Sequence, residues 1–308
     1  MAYQALYRKY RPTNFDEVVG QTHIIQTLKN AIIQNRIAHA YLFCGPRGTG
    51  KTSIAKIFAK TLNCTNSQDA PCGVCENCKM AANGSHPDII EIDAASNNGV
   101  DEVRNLIDKV KYAPMQGKYK IYIVPDAEKM TAAAQNALLK TIEEPPAYAV
   151  ILLLANNASA LLPTILSRCV MLSLKPVADD KVKQYLMEHV QVPDYEADVC
   201  VAFAQGNIGK AVQLATSDSF NEIKNSALHL LKNVSKMEIN DIIATVKSVS
   251  EFKIDIQDYL DFLAVWYRDI LYFKATRDSN GLIFKDELNV ITDQINKSSY
   301  EGIENILR

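Results

Sequence analysis

Gly45-Pro46-Arg47-Gly48-Thr49-Gly50-Lys51-Thr52-Ser53 fits the pattern G-x-x-x-x-G-K-[ST] of a phosphate-binding loop. Its surroundings have the form that loop needs. Ala40-Tyr41-Leu42-Phe43 ahead of it reads as a buried strand, and Ser53 to Lys60 behind it carries apolar residues at helical spacing. The glycines let the backbone curl so that several N–H groups point at phosphate oxygens, and the helix N-terminus adds positive potential. In this reading Lys51 reaches the β- and γ-phosphates and the Thr52 hydroxyl ligates Mg²⁺. The plainer alternative is a glycine-rich strand–helix turn with a chance lysine.

Outward from the loop, the chain alternates strands and helices. Asp88 to Asp93 reads as a strand, Val100 to Val110 as a helix, and Lys120 to Val124 as a buried strand. Thr131 to Glu143 reads as a helix closed by Pro145-Pro146, and Val150 to Ala155 as another buried strand. Such alternation through about residue 175 predicts a parallel sheet covered by helices on both faces. From Pro176 onward the pattern is helical. Short helices are expected over 181–189, 197–204 and 209–215, then longer ones over 223–231, 239–249, 254–272 and 282–295. Tyr259, Phe262, Trp266, Tyr267 and Phe273 read as bundle core rather than a cofactor box.

Cys64, Cys72, Cys75 and Cys78 follow the loop's helix with spacing C-x7-C-x2-C-x2-C. Four thiolates this close can close a tetrahedral Zn²⁺ site, and with all four bound the site is structural. An iron–sulfur cluster uses similar ligands, but nothing else in the chain suggests redox chemistry. Cys44, Cys169 and Cys200 are scattered among apolar residues and read as core. At 308 residues and 48% hydrophobic, the chain is long enough for two or three domains. A net charge of −2 excludes a global attraction to nucleic acid or anionic membrane. No apolar run reaches transmembrane length and the N-terminus has no signal-peptide core, so a cytoplasmic protein is expected, without membrane partners.

The assembled pattern resembles the AAA+ subunits of the bacterial DNA polymerase III clamp loader. The resemblance covers nearly the whole chain. It is carried by Leu6-Tyr7-Arg8-Lys9-Tyr10-Arg11-Pro12, Val19-Gly20-Gln21, the phosphate loop, the cysteine knuckle, Asn136 to Pro146 and Ser167-Arg168-Cys169. It implies an α/β P-loop NTPase (AAA+) domain over residues 1–177 with a zinc knuckle at 64–78. A small helical lid domain (178–218) and a helical collar domain (219–308) are implied after it. It further implies ATP or ADP as ligand, with Arg8, Tyr10, Arg11, Pro12 and Val19 contributing beside Gly45 to Ser53. Arg168 becomes an arginine finger reaching the ATP of a neighbouring subunit. The implied partners are the other subunits of a five-membered ring, the sliding clamp, and primed DNA held by backbone phosphates.

Two subunit types share these features. Ile92-Asp93-Ala94-Ala95-Ser96-Asn97-Asn98-Gly99-Val100, the N-terminal arm and the intact loop look like the gamma/tau motor type. Three positions depart from it. Pro125-Asp126 stands where the motor has adjacent Asp-Glu, Asn156 where it has a sensor threonine, and Gly209 where it has a lid arginine. Losing the Mg²⁺-holding carboxylate removes a main term in phosphoryl transfer. The expectation is therefore a delta-prime type subunit that binds nucleotide and hydrolyses it weakly or not at all, with Asp126 a degraded catalytic acid. The alternatives are a gamma/tau motor and a zinc-containing nucleotide-binding adaptor without a catalytic role.

Overall fold

A computed structural model describes residues 10–66, 70–92, 107–234, 237, 238, 240, 241, 243, 244, 247, 256–297 and 299–307. Arg8, the turn over 94–99, the first part of the 100–110 helix and much of the 239–249 helix lie outside these residues. The chain divides into two compact units, Met1–Ala178 and Asp179–Arg308.

The first unit contains helix α1 (Thr22–Ile33), strand β1 (Ala40–Cys44), α2 (Lys51–Leu62), α3 (Glu76–Asn83), β2 (Ile89–Glu91) and β3 (Lys120–Val124). It continues with α4 (Ala132–Glu143), β4 (Ala149–Ala155), α5 (Pro163–Leu166) and β5 (Val170–Ser173). The strands form one sheet in the order β2-β3-β4-β1-β5, with every pairing parallel. The central pair runs in register from Ala40 opposite Ile151 to Cys44 opposite Ala155.

Strand side chains alternate between two helical layers. Ala40 and Leu42, with Tyr122, Val124, Ile151 and Leu153, pack with Ala134, Leu138 and Ile142 of α4. Tyr41 and Phe43, with Ile121, Ile123, Leu152 and Leu154, pack with Leu28 of α1 and Ile54 and Phe58 of α2. Both faces are covered, so the central strands are continuous apolar runs. At about 1.5–3 kcal/mol per fully buried side chain, these two layers outweigh the unit's exposed ion pairs, such as Lys29–Asp16. Lys120 is tolerated in a buried strand because its ammonium donates to the carbonyls of Lys109 (2.9 Å) and Tyr112 (3.0 Å).

Strand β5 is absent from the sequence expectation. Only Leu172 of its four residues is buried, while Val170, Met171 and Ser173 are exposed at the sheet edge, so no alternation marks it. The strand expected at Asp88 starts one residue later. Asp88 is fully buried, and its carboxylate accepts the N–H groups of Met115, Gln116 and Gly117, each at 2.7 Å. This fixes the loop that leads into β3.

The second unit is helical: α6 (Asp179–Tyr185), α7 (Asp194–Ala204), α8 (Ile208–Ala215), α9 (Asp218–Asn233), α10 (Ile256–Thr276), α11 (Leu288–Lys297) and α12 (Tyr300–Leu307). Phe262 of α10 meets Phe203 of α7 at 4.3 Å and Phe220 of α9 at 5.2 Å between ring centroids. Trp266 meets Phe284 at 5.5 Å and donates from Nε1 to Gln294. The single helix expected over 282–295 is corrected. The buried carboxylate of Asp269 accepts the N–H groups of Ile283 (2.8 Å) and Phe284 (2.9 Å), holding that stretch out of the helix. A short 3-10 turn follows, and α11 begins at Leu288.

Candidate functional site

Because all five strands are parallel, their C-terminal ends lie along one edge of the sheet, where an open α/β sheet binds its ligands. The phosphate loop leaves β1 there. A Cβ on Gly45 would sit 2.3 Å from the carbonyl oxygen of Leu174, so only glycine fits against that neighbouring backbone. Gly50 caps α2 with φ +94°, the left-handed region that glycine enters without strain. Thr49 is buried and donates from its hydroxyl to the Pro46 carbonyl, whereas Pro46, Arg47 and Gly48 are exposed. The loop is thus pinned from inside and open outside.

Lys51 Nζ donates to the carbonyls of Gly45 (2.6 Å) and Pro46 (2.8 Å) and to Asn156 Oδ1 (2.9 Å). Burial pushes its pKa down, while the charges of Glu128 and Asp126 oppose that shift. Arg11 Nε donates to Ser53 Oγ at 3.1 Å, which brings the basic arm onto the first turn of α2. Tyr10, Pro12, Val19, Thr52 and Ser53 are half-buried.

Asn156 follows β4, where the sequence placed a sensor. Its Nδ2 and backbone N–H both donate to Glu128 Oε1, at 2.7 and 3.1 Å. Asp126 instead takes a left-handed conformation (φ +50°), and its Oδ2 accepts from Lys129 Nζ at 2.8 Å. The carboxylate bonded to Asn156 therefore belongs to Glu128. In the sequence Glu128 lies two residues beyond Asp126.

Arg168 lies just beyond α5. It donates to the Thr164 carbonyl (2.9 Å) and pairs with Glu143 Oε1 at the end of α4 (2.8 Å). Glu143 belongs to the Asn136–Pro146 stretch, whose sequence carries no sign of this contact. Gln135 was also missed. Its Oε1 accepts the Leu162 N–H and its Nε2 donates to the Met130 carbonyl, tying the turn after β3 to the start of α5. At the lid-arginine position, Gly209 is exposed in the first turn of α8.

The four cysteines converge. The Sγ atoms of Cys64, Cys72, Cys75 and Cys78 all lie within 4.8 Å of one another. A tetrahedron of ~2.3 Å zinc–sulfur bonds has edges of ~3.8 Å, and Cys64 and Cys75 stand 4.0 Å apart. Backbone N–H groups of Cys72, Cys75 and Cys78 donate to the sulfurs of Cys64, Cys72 and Cys75 in turn, as stabilised thiolates require. Burial pushes the Cys78 thiol up to about 12. Burial also acts to raise Cys75, yet donors from Thr65 and Cys78 bring it down to about 6. The donor set fits a closed structural metal centre. No helix among the described residues is long and apolar enough to cross a membrane.

Residues 20–178 match the family profile described as "DNA polymerase III, delta subunit". Among curated relatives, DNA polymerase III subunit tau of Bacillus subtilis is 38% identical over 307 residues, covering 92% of this chain and 54% of that protein. Subunit tau of Escherichia coli is 42% identical over 220 residues, covering 70% and 34%. The chain thus spans from about a third to about half the length of these relatives. A solved RuvB variant of Thermotoga maritima superposes with TM-score 0.50 at 16% identity, covering 97% of this chain and 90% of that one, a likeness of fold. The fold is that of an AAA+ domain with a parallel sheet, a four-cysteine cluster and a helical C-terminal region.

Proposed function

Because this chain belongs to the DNA polymerase III delta-subunit family of clamp-loader proteins, we propose that it works as a nucleotide-binding subunit of the gamma/tau type. The observation that carries the reading is the intact phosphate loop, with Lys51 bonded to Asn156 at the carboxyl edge of the sheet. The gamma/tau assignment replaces the delta-prime one expected from Pro125, Asn156 and Gly209. It is supported by relatives that carry the names tau and tau/gamma, one of them matching over 92% of the chain.

The ligand is ATP or ADP, with its phosphates on the loop N–H groups and Lys51, and Mg²⁺ on Thr52. Arg11 on α2 places the basic arm beside the same site. Zn²⁺ on the four cysteines would cross-link the segment between α2 and α3 to the start of α3, and would supply rigidity rather than chemistry. Arg168, exposed just beyond α5, acts in trans on the ATP of a neighbouring subunit in a five-membered ring. The lid (178–218) and collar (219–308) divide the helical half, and the ring places the sliding clamp on primed DNA through phosphate contacts.

The test is nucleotide binding by the full-length protein and ATP turnover by the reconstituted loader. Lys51→Ala abolishes nucleotide binding. Arg168→Ala leaves binding intact and lowers loader turnover by about 10³-fold or more. Unchanged binding in Lys51→Ala refutes the nucleotide site. Unchanged turnover in Arg168→Ala refutes the finger and favours the adaptor reading.

A further inference from the structure

We propose that Glu128, and not the acid next to the end of β3, is the carboxylate that orients the attacking water at this nucleotide site. The inference rests on the nucleotide-binding reading above and assigns that site a catalytic acid. Three observations converge on it.

The first is the path of the chain after β3. Pro125 carries no carboxylate, and Asp126 is turned aside in a left-handed conformation with its Oδ2 on Lys129. A non-glycine residue held at positive φ is strained and persists where its surroundings enforce it. The one-turn 3-10 helix that follows, Ala127–Lys129, delivers Glu128 to the end of β4. Its anchors are the fully buried Ala127 and the Met130 carbonyl held by Gln135.

The second is an unbroken polar chain. Lys51 donates to Asn156 Oδ1, and Asn156 Nδ2 donates to Glu128 Oε1. The ammonium needs an acceptor and the carboxylate a donor, so the two partners fix which way the Asn156 amide faces. One amide therefore separates the group that grips the β- and γ-phosphates from a carboxylate.

The third is Glu128 Oε2. This oxygen is buried and has no hydrogen-bond partner among the described residues. A buried carboxylate oxygen without a donor is costly. A water donating to it satisfies the oxygen, on the carboxylate that ends the chain begun by the phosphate-binding lysine. In the reaction, the water oxygen forms a bond to the γ-phosphorus. The bond from that phosphorus to the β–γ bridging oxygen breaks, and its electron pair leaves with ADP. The proton of the water passes to Glu128 Oε2 and from there to the released phosphate. ATP and water become ADP and phosphate.

A purely structural Glu128 would only anchor Asn156, and its loss would weaken nucleotide binding and turnover together. The test uses the full-length protein, alone and in the reconstituted loader, with Glu128→Gln and Asp126→Asn. Dissociation constants for ATP and ADP are read by fluorescence titration, and the fate of pre-bound ATP by single-turnover quench. Glu128→Gln retains an acceptor for Asn156, so ATP affinity stays within about threefold while hydrolysis of bound ATP falls by roughly 10²–10⁴-fold. The loss in Asp126→Asn is at least about tenfold smaller. Hydrolysis by Glu128→Gln at the wild-type rate, parallel loss of affinity and rate, or wild-type protein that holds ATP without turnover in the loader each overturns the assignment. Wild-type protein that binds no nucleotide overturns the proposed function instead.

Discussion

Asp88→Asn should destabilise the first unit by about 3 kcal/mol. In the wild type, Oδ1 accepts the Met115 N–H and Oδ2 accepts those of Gln116 and Gly117, all at 2.7 Å, around a fully buried carboxylate. Asparagine keeps one oxygen for two of these donors and turns an NH₂ group toward the third. One charge-assisted bond is lost outright, at about 1.5–3 kcal/mol, and the other two weaken to neutral strength. For a unit of 178 residues, ~3 kcal/mol lowers the melting temperature by roughly 6–12 °C. The assay is scanning calorimetry of the nucleotide-free protein at neutral pH, repeated toward pH 3. Burial acts to raise the Asp88 pKa, but the three N–H donors outweigh it, and the pKa lies below its ordinary 3.8. A depressed folded pKa stabilises above the unfolded value and loses that contribution as pH falls through the folded one. The gap between wild type and variant is therefore full at neutral pH and closes below about 3.8. A shift under about 2 °C at neutral pH, or a gap that widens in acid, would refute this account of the loop.

Two further outcomes follow from the geometry. Gly45→Ala forces a Cβ to within 2.3 Å of the Leu174 oxygen. It should cost about 1–3 kcal/mol and raise the nucleotide dissociation constant by more than about tenfold, read by titration; unchanged affinity would mean that the loop relaxes freely. Cys78→Ser should remove zinc, read as metal content per chain and as loss to chelators. The loss of affinity should exceed the roughly 10–100-fold that removing an outer-shell partner costs, and a variant that keeps its zinc would contradict a four-sulfur centre.

What the sequence revealed was set by how local each feature is. The phosphate loop and the cysteine knuckle are read directly because their parts lie within a few residues of one another. Strands β1, β3 and β4 are apolar on both faces and declare themselves as runs. Strand β5 hides because only Leu172 is buried. The break before α11 is imposed by Asp269, on the preceding helix and 14 residues before Ile283, and no local pattern announces it. The same holds for Arg168 and Glu143. Around the phosphate loop, Pro125 and Asp126 were legible as departures, but the left-handed turn at Asp126 that brings Glu128 to Asn156 was not. Reading those departures as loss of function favoured delta-prime. The relative that matches over 92% of the chain carries the name tau.

Trp266 is the only tryptophan in the chain, and it lies fully buried in the helical unit with its indole N–H on Gln294. Fluorescence excited at the red edge of the indole band therefore comes from that unit alone, without any label. A change in it on adding nucleotide is a signal from residues 179–308 and not from the sheet that carries the phosphate loop. Followed during denaturation, it gives the helical unit an unfolding curve of its own, whereas the tyrosines lie in both units and report on the whole chain.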